Sequence, residues 1–474
     1  MSAASSSGAS PSTGLVVVGD ALLDIDLVGR AGRLMPDAPA PVLDDLREHP
    51  RPGGAALAAA LAAADGHDVT LVASVADDPA GERLAALVAA AGVRLVRIPY
   101  AGATAVKRRV RASGQSLLRL DEGGSGTVGE PPREALDAIA GAAAVLVSDY
   151  GRGVTGQPAV RAALERLPAR VPTVWDPHPR GAAPVAGVRL ATPNRDEAGR
   201  LCSAARGTGA GLTGLAAVSA QAAALVGEWR AQAVCVTLGS GGALLSRGES
   251  SPSVVPAPAV TAVDTCGAGD RFASAALVAL ASGAVTLEAV QQAVTSAAAF
   301  VADGGAAGLA ADGLAADGDA TEAAAHGPDA VARVRAAGGT VVATGGCFDL
   351  LHAGHVATLQ AARALGDCLV VCLNSDESVR RLKGPGRPLV PQADRARVLA
   401  ALGCVDDVVV FEEDTPQEAL RRIRPQVWAK GGDYAGAELP EAALLREWGG
   451  QAVVLPYLEG RSTTSLVSTA LARA

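Results

Sequence analysis

Lysine and asparagine are almost missing from this chain. Its 474 residues hold three lysines (Lys107, Lys383, Lys430) and two asparagines (Asn194, Asn374), while arginine fills nearly every other basic position. A composition that tolerates these residues so poorly gives each survivor weight as a chemical requirement. Seven cysteines, at 202, 235, 266, 347, 368, 372 and 404, contain no C-x-x-C pair and are too few for a disulfide scaffold at this length, which fits a reducing cytoplasm. A basic excess is lacking too: 41 Lys+Arg against 49 Asp+Glu leave a net charge of −8, which argues against a broad basic face for nucleic acid or an anionic membrane. Any bound anion must be held locally. The first thirteen residues are mostly Ser, Ala, Gly and Pro without a basic stretch, and a disordered tail is expected over 1–13. The apolar run from Leu15 to Val18 is far too short for a signal or membrane-spanning helix.

What is present is ample core material. Apolar residues make up 49% of the chain and charged residues 19%, so the chain is globular, and its length suggests two to three domains. From Leu15 onward, short β-branched runs (Val69 to Val72, Val145 to Val147, Val171 to Trp175, Ala233 to Thr237) alternate with alanine-rich helical stretches. That alternation reads as an α/β protein with a largely parallel sheet. The first core is expected over 14–302. A Gly/Ala/Asp-rich stretch with no strand signal follows, giving a linker at 303–337, part of it helical. A second α/β series occupies 338–474, with strands from Thr340, Cys368 to Leu373, Val408 to Phe411, Val427 to Lys430 and Ala452 to Leu455. No internal repeat relates the two.

The clearest motif of the first domain is Asp264-Thr265-Cys266-Gly267-Ala268-Gly269-Asp270, followed by an apolar small-residue helix, Phe272 to Ala281. Gly267, Ala268 and Gly269 let backbone approach a phosphate, and the free N–H groups of a helix start form an anion hole for a transferred phosphoryl group. Asp270 stands where a base would take a proton from an attacking hydroxyl. Alone, such a turn is equally an N-capped helix start. Lys107, Arg109 and Arg119 form a dense local patch of cations, suited to a phosphate already on the substrate or else to a solvated basic strand edge.

In the second domain, Thr344-Gly345-Gly346-Cys347-Phe348-Asp349 leads to His352-Ala353-Gly354-His355 and the helix Val356 to Leu365. Histidines three apart at a helix start lie on nearly one face beside free N–H groups, a geometry for a triphosphate, or else two packed or capping histidines. Asn374, Lys383 (in Arg381-Leu382-Lys383-Gly384), Arg387-Pro388, Lys430-Gly431-Gly432-Asp433 and Ser462-Thr463-Thr464 each lie close beyond a predicted strand end or before the final helix. Parallel α/β sheets place ligands at such positions.

Taken in order, Gly19-Asp20 to Asp24, Gly53-Gly54, Thr192-Pro193-Asn194, Thr237 to Gly242 and the Gly267 to Asp270 motif resemble the ribokinase-like sugar kinases. The spacing of Lys107, Arg109, Gln115, Arg119 and Asp121, with Ser148-Asp149-Tyr150-Gly151 and Trp175-Asp176-Pro177, is similar to the heptose 7-phosphate kinase branch. The H-x-G-H segment and its companions, including Phe411 to Pro416, resemble the cytidylyltransferase-like nucleotidyltransferases. Together the two halves look like the bifunctional heptose kinase/adenylyltransferase family: a ribokinase-like sugar kinase followed by a smaller Rossmann-like nucleotidyltransferase.

The resemblance implies phosphorylation of D-glycero-β-D-manno-heptose 7-phosphate at C1 with ATP and Mg²⁺, then transfer of AMP from ATP to the heptose 1-phosphate. A separate phosphatase acts between the steps. It implies Asp24, Gly53 and Gly54 on sugar hydroxyls, and Asn194, Thr237, Gly239 and Gly242 at ATP. Asp270 becomes the kinase base. His352, His355 and Lys383 serve nucleotidyl transfer, with Thr344, Gly346, Phe348, Asp349, Asn374, Lys430, Gly431, Asp433, Ser462, Thr463 and Thr464 around the nucleotide. A cytoplasmic homodimer with heptose phosphates and ATP as its small-molecule partners is expected. Leu57, His178 and Gly345 stand where the family commonly has Asn, Lys and Asn, and Arg271 replaces Thr. The same reactions on another sugar phosphate or nucleotide are therefore the first alternative, and an inactive nucleotide-binding scaffold the second.

Overall fold

Strands buried on both faces need uninterrupted apolar sequence, and Leu15–Gly19, Ala144–Ser148 and Cys368–Asn374 have no exposed residue. The computed structural model describes residues 14–38, 40–112, 115–202, 211–261, 264–308, 330–432 and 438–456. The expected tail at 1–13 and most of the expected linker therefore lie outside the described residues, as do Asp433, Ser462, Thr463 and Thr464. Contacts divide the chain into two units: Met1–Leu201 with Glu228–Ala233 and Ala259–Gly318, and Cys202–Gly227 with Val234–Pro258 and Asp319–Ala474.

In the first unit a parallel sheet runs in the spatial order Leu190–Ala191, Thr173–Asp176, Ala144–Ser148, Leu15–Gly19, Val69–Ser74, Arg94–Ile98. The helix Ala268–Ala281 packs on Thr286–Ala302 and on Ala55–Ala64. Seven of the ten residues of Ala55–Ala64 are buried, and their small side chains allow that close approach. A separate four-stranded sheet, Pro41–Gly54, Ala21–Leu34, Val106–Ala112, Gln115–Glu122, carries Asp24, Asp26, Arg51, Lys107, Arg109 and Arg119. The expected linker is ordered at its near end: Gly305–Gly308 is helical, and the fully buried Ala306 packs with Leu57 and Leu61.

In the second unit the strand Val341–Gly346 is central. The chain steps outward through Cys368–Asn374 and Asp407–Phe411, then returns to the other side with Val427–Gly431 and Gln451–Leu455, all parallel. That reversal creates a crevice beyond the C-terminal ends of Val341–Gly346 and Val427–Gly431. The meander Val234–Thr237, Ala243–Ser246, Ser253–Val255 continues this sheet, because Ser253 pairs with Val454. Grouping by contacts puts 202–227 and 234–258, both inside the stretch 14–302 expected as one domain, with the second unit. The helix Ala330–Ala336, inside the expected linker, packs Ala330, Val331 and Val334 on the second unit's core.

Candidate active sites

Side chains two apart on a strand share a face. Asp24 and Asp26 therefore project together, with Arg51 opposite Asp24 on one neighbour and Lys107 and Arg109 opposite Asp24 and Asp26 on the other. Arg119 lies opposite Arg109 on the outer strand. The face is a chain of ion pairs: Arg51 to Asp26, Arg51 to Asp24 at 3.5 Å, and Arg109 to Asp24 at 3.3 Å. Asp24, Asp26 and Arg51 are 3%, 4% and 5% exposed, yet Asp24 Oδ1, Asp26 Oδ1 and Arg51 Nε are buried with no hydrogen-bond partner. Such orphans in a charged cleft await a polar ligand. Lys107 is held below its ordinary pKa by burial, with Asp24 opposing, and Arg119 is committed to Asp121 at 2.5 Å. Gly53 is required by closeness, since a Cβ there would meet Asp24 Cγ at 2.9 Å.

Gly267 takes a left-handed backbone (φ 82) as the cap of Ala268–Ala281. A Cβ there would strike Leu57 Cδ2 at 2.8 Å. The Ala268 N–H turns back to Thr265 O at 3.2 Å. The next two N–H groups, of Gly269 and Asp270, have no carbonyl within the helix to donate to. Asp270, 6% exposed, lies in this first turn. Burial, aided by Asp24, pushes its carboxyl up to about 7 against the opposing Tyr150 hydroxyl and Lys107. A carboxylate that titrates near neutrality suits a general base. Tyr150 donates to its two oxygens at 2.8 and 2.9 Å. Arg271, where the family often has Thr, pairs with Asp65 at 2.6 Å and so ties this helix to the end of Ala55–Ala64. His178 packs on Gly151, its Nδ1 accepting the Arg180 N–H at 3.1 Å.

Of the residues expected at ATP, Asn194 caps Arg195–Leu201 reciprocally with Glu197: Asn194 Oδ1 accepts the Glu197 N–H at 2.9 Å, and Glu197 Oε2 accepts the Asn194 N–H at 2.8 Å. Glu197 was not singled out in sequence, although Asn-x-x-Glu after a strand is a visible capping signal. Thr237, Gly239 and Gly242 form the turn between two antiparallel strands, with φ of 63 and 87 at the glycines. Among the described residues no three His, Cys, Asp or Glu side chains are grouped as around a metal ion.

In the second unit, Thr344 and Gly346 end the central strand and Phe348 adopts φ 44, a backbone strained for an aromatic residue. Its ring meets His355 edge-on at 5.3 Å. His352 caps the helix Ala353–Arg363 through Nδ1, which accepts the Gly354 N–H at 3.1 Å, leaving Nε2–H as its donor. The His352 and His355 rings stack at 3.9 Å. Burial, His352 and the nearby Lys383 push His355 down to about 4, so it is neutral at pH 7. The structure thus brings His352, His355 and Lys383 together. Lys430 and Gly431 end the adjacent strand; Lys430 Nζ lies 3.7 Å from the buried Glu441, whose Oε2 has no partner.

Asp349 is differently employed. Its oxygens accept from Arg387 at 2.6 Å, the Leu389 N–H at 2.7 Å and the Val390 N–H at 3.0 Å, so it holds a loop instead of presenting a free carboxylate. Against burial, these donors keep its pKa low. Asn374 is likewise occupied, donating to Ser378 Oγ at 3.0 Å. Arg395, 2% exposed, has no sequence signal yet joins the site's segments through Cys347 O, Asn374 O, Val390 O and Asp376. At Gly345 a Cβ would stand 2.6 Å from Trp428 Cη2, so Trp428 leaves no room there for a side chain.

Residues 12–312 match the family described as pfkB family carbohydrate kinase, and residues 343–469 the family described as Cytidylyltransferase-like. The bifunctional protein HldE of Streptomyces coelicolor is 58% identical over 458 residues, covering 97% of this chain and 96% of that protein. The bifunctional protein HldE of Azorhizobium caulinodans is 38% identical over 479 residues, covering 96% and 98%. A solved ribokinase from Thermotoga maritima aligns at 22% identity over 61% of this chain and 93% of its own, with a TM-score of 0.47.

Proposed function

Because the chain belongs to the HldE family of bifunctional proteins, a pfkB-type carbohydrate kinase joined to a cytidylyltransferase-like nucleotidyltransferase, we propose that it performs two steps of ADP-heptose synthesis. In the first, Asp270 takes the proton of the C1 hydroxyl of D-glycero-β-D-manno-heptose 7-phosphate. The oxygen attacks the γ-phosphorus of ATP, ADP leaves, and the N–H groups of the Gly267 to Asp270 turn stabilise the charge in flight. Lys107, Arg109 and Arg119 hold the 7-phosphate, while Asp24 and the Gly53-Gly54 backbone hold hydroxyls. Asn194 and the Thr237 to Gly242 turn attend the nucleotide. ATP enters as its magnesium complex, its phosphates supplying ligands to the ion.

In the second step an ionised heptose 1-phosphate attacks the α-phosphorus of another ATP, and pyrophosphate leaves. An ionised phosphate needs no protein base, so His352, His355 and Lys383 serve to spread charge, with Lys430 beside the nucleotide. A separate phosphatase removes the 7-phosphate between the steps. The reading includes a homodimer in the cytoplasm, supported for the compartment by the lack of a disulfide among the described residues.

The observation that carries the reading is the buried Asp270, set at a helix start and in the field of Asp24 and Lys107. Asp270→Asn is expected to abolish phosphoryl transfer and leave nucleotidyl transfer, and His355→Ala to do the reverse, each read by mass spectrometry of products from heptose phosphates and MgATP. Loss of both activities from either change in folded protein would overturn the two-site reading. Leu57, buried beneath Gly267, favours a second reading in which the sugar differs from the family's usual one, and turnover across a panel of sugar 7-phosphates decides between them.

A further inference from the structure

Tyr150 is a polar side chain at the kinase site that the two steps above leave without a task. Its ring fills the space left by Gly54, where a Cβ would stand 3.2 Å from Tyr150 Cδ2, and Lys107 Nζ lies 5.7 Å from the ring centroid. The backbone beneath it is pinned by two buried carboxylates. Asp20 Oδ2 accepts the N–H groups of Tyr150 at 3.0 Å and Arg152 at 2.9 Å, and Asp20 Oδ1 that of Val154 at 3.2 Å. Asp149 accepts the Gly151 N–H at 2.7 Å and the Thr155 hydroxyl at 2.6 Å. A loop held this firmly fixes where the Tyr150 hydroxyl points, and it points at both oxygens of Asp270.

We propose that Tyr150 is a positioning residue for the phosphoryl-transfer base: its hydroxyl holds the Asp270 carboxylate oriented and ionised for the acceptor hydroxyl. The proposal rests on the kinase reading above. Burial favours the protonated acid, which is unable to accept a proton, and Asp24 adds to it. Tyr150 and Lys107 oppose them. Tyr150 itself stays protonated, because burial and the neighbouring Asp270, Asp176 and Asp24 raise its pKa well above the ordinary phenol value. It is therefore a permanent donor, and a donor to the charged form favours that form. Since the donor spans both oxygens, an incoming O–H displaces it from one and leaves it on the other. The acceptor's proton then passes to the freed oxygen as the new O–P bond forms and the bond from the γ-phosphorus to ADP breaks.

The test is the pH dependence of phosphorylation by Tyr150→Phe, which keeps the ring between Gly54 and Lys107 and deletes only the O–H. The acid limb of kcat/KM is expected to move up by about one unit, so that activity well below the limb falls about tenfold while activity above it approaches wild type. KM for the sugar phosphate should change far less than kcat. An unmoved limb, or an equal loss at every pH, overturns the proposal. Should the Phe variant not fold, 3-fluorotyrosine at position 150, a stronger donor, must move the limb downward, and an unmoved limb is again fatal. A wild-type protein that phosphorylates no sugar phosphate at any pH overturns the kinase reading instead, which keeps the two failures distinct.

Discussion

Replacing Arg395 by methionine should unfasten the nucleotidyltransferase site while sparing the kinase. Its guanidinium donates to Val390 O at 2.9 Å, Cys347 O at 2.5 Å, Asn374 O at 2.9 Å and Asp376 Oδ1 at 2.7 Å. Methionine matches the stem and deletes every donor. Hydrogen bonds to a charged group contribute about 1.5–3 kcal/mol each, but their sum overshoots, because the buried cation also had to be desolvated. Removing one partner of a buried pair costs about 3–5 kcal/mol, so a loss of about 4 kcal/mol is expected. Urea unfolding followed through Trp428 and Trp448 reads it: at a slope of about 2 kcal/mol per molar, the midpoint falls by about 2 M. Adenylyl transfer should drop and phosphoryl transfer should not, since all four partners lie within residues 343–469, the stretch that matches the Cytidylyltransferase-like family. A midpoint lowered by less than about 0.5 M, or an equal fall in both activities, refutes the reasoning.

Two further outcomes follow from other residues. Asp270 ionises near 3.8 when unfolded and near about 7 when folded, so the folded protein loses stability as pH rises through that window. Asp270→Asn removes this penalty and should melt higher than wild type by an amount that grows from acid to alkaline pH, reaching roughly 2–4 kcal/mol. A difference between the two proteins that is flat with pH contradicts it. Restoring the family's asparagine at Gly345 should destabilise by about 1–3 kcal/mol through overpacking against Trp428. Trp428→Phe in the same chain should recover part of the loss, and additive losses in calorimetry would rule out the clash.

Much of the architecture was legible because its signals are local. Val145 to Val147 and Cys368 to Leu373 announce buried strands by composition alone, and the glycines before Asp270 and the paired histidines carry their chemistry in a few adjacent residues. Lys107 and Lys383, singled out by the scarcity of lysine, lie beside Asp24 and His355. What escaped depends on pairing between distant segments. Arg51 joins the charged cleft only through register with Asp24, and Tyr150 reaches Asp270 across 120 residues. Arg395 sits in an ordinary helix, Gln392–Ala400, whose sequence gives no hint that its guanidinium is buried. The three donors to Asp349, between 38 and 41 residues away, are likewise invisible in the motif.

The chain of alternating charges running Asp26, Arg51, Asp24, Arg109 gives recognition a particular character under the proposed reading. An arriving sugar phosphate does not find idle groups; it exchanges partners with committed ones. Its phosphate must draw Arg109 away from Asp24 Oδ2, leaving Arg51 as that carboxylate's cation, while the unpartnered Asp24 Oδ1 takes up a hydroxyl. Recognition at the two ends of the sugar is thus a single transaction, in which a molecule bearing the hydroxyls but no phosphate leaves the internal pair closed. Selectivity of this kind lies in the order of substitution among bonds already made, and it tempers affinity while sharpening discrimination.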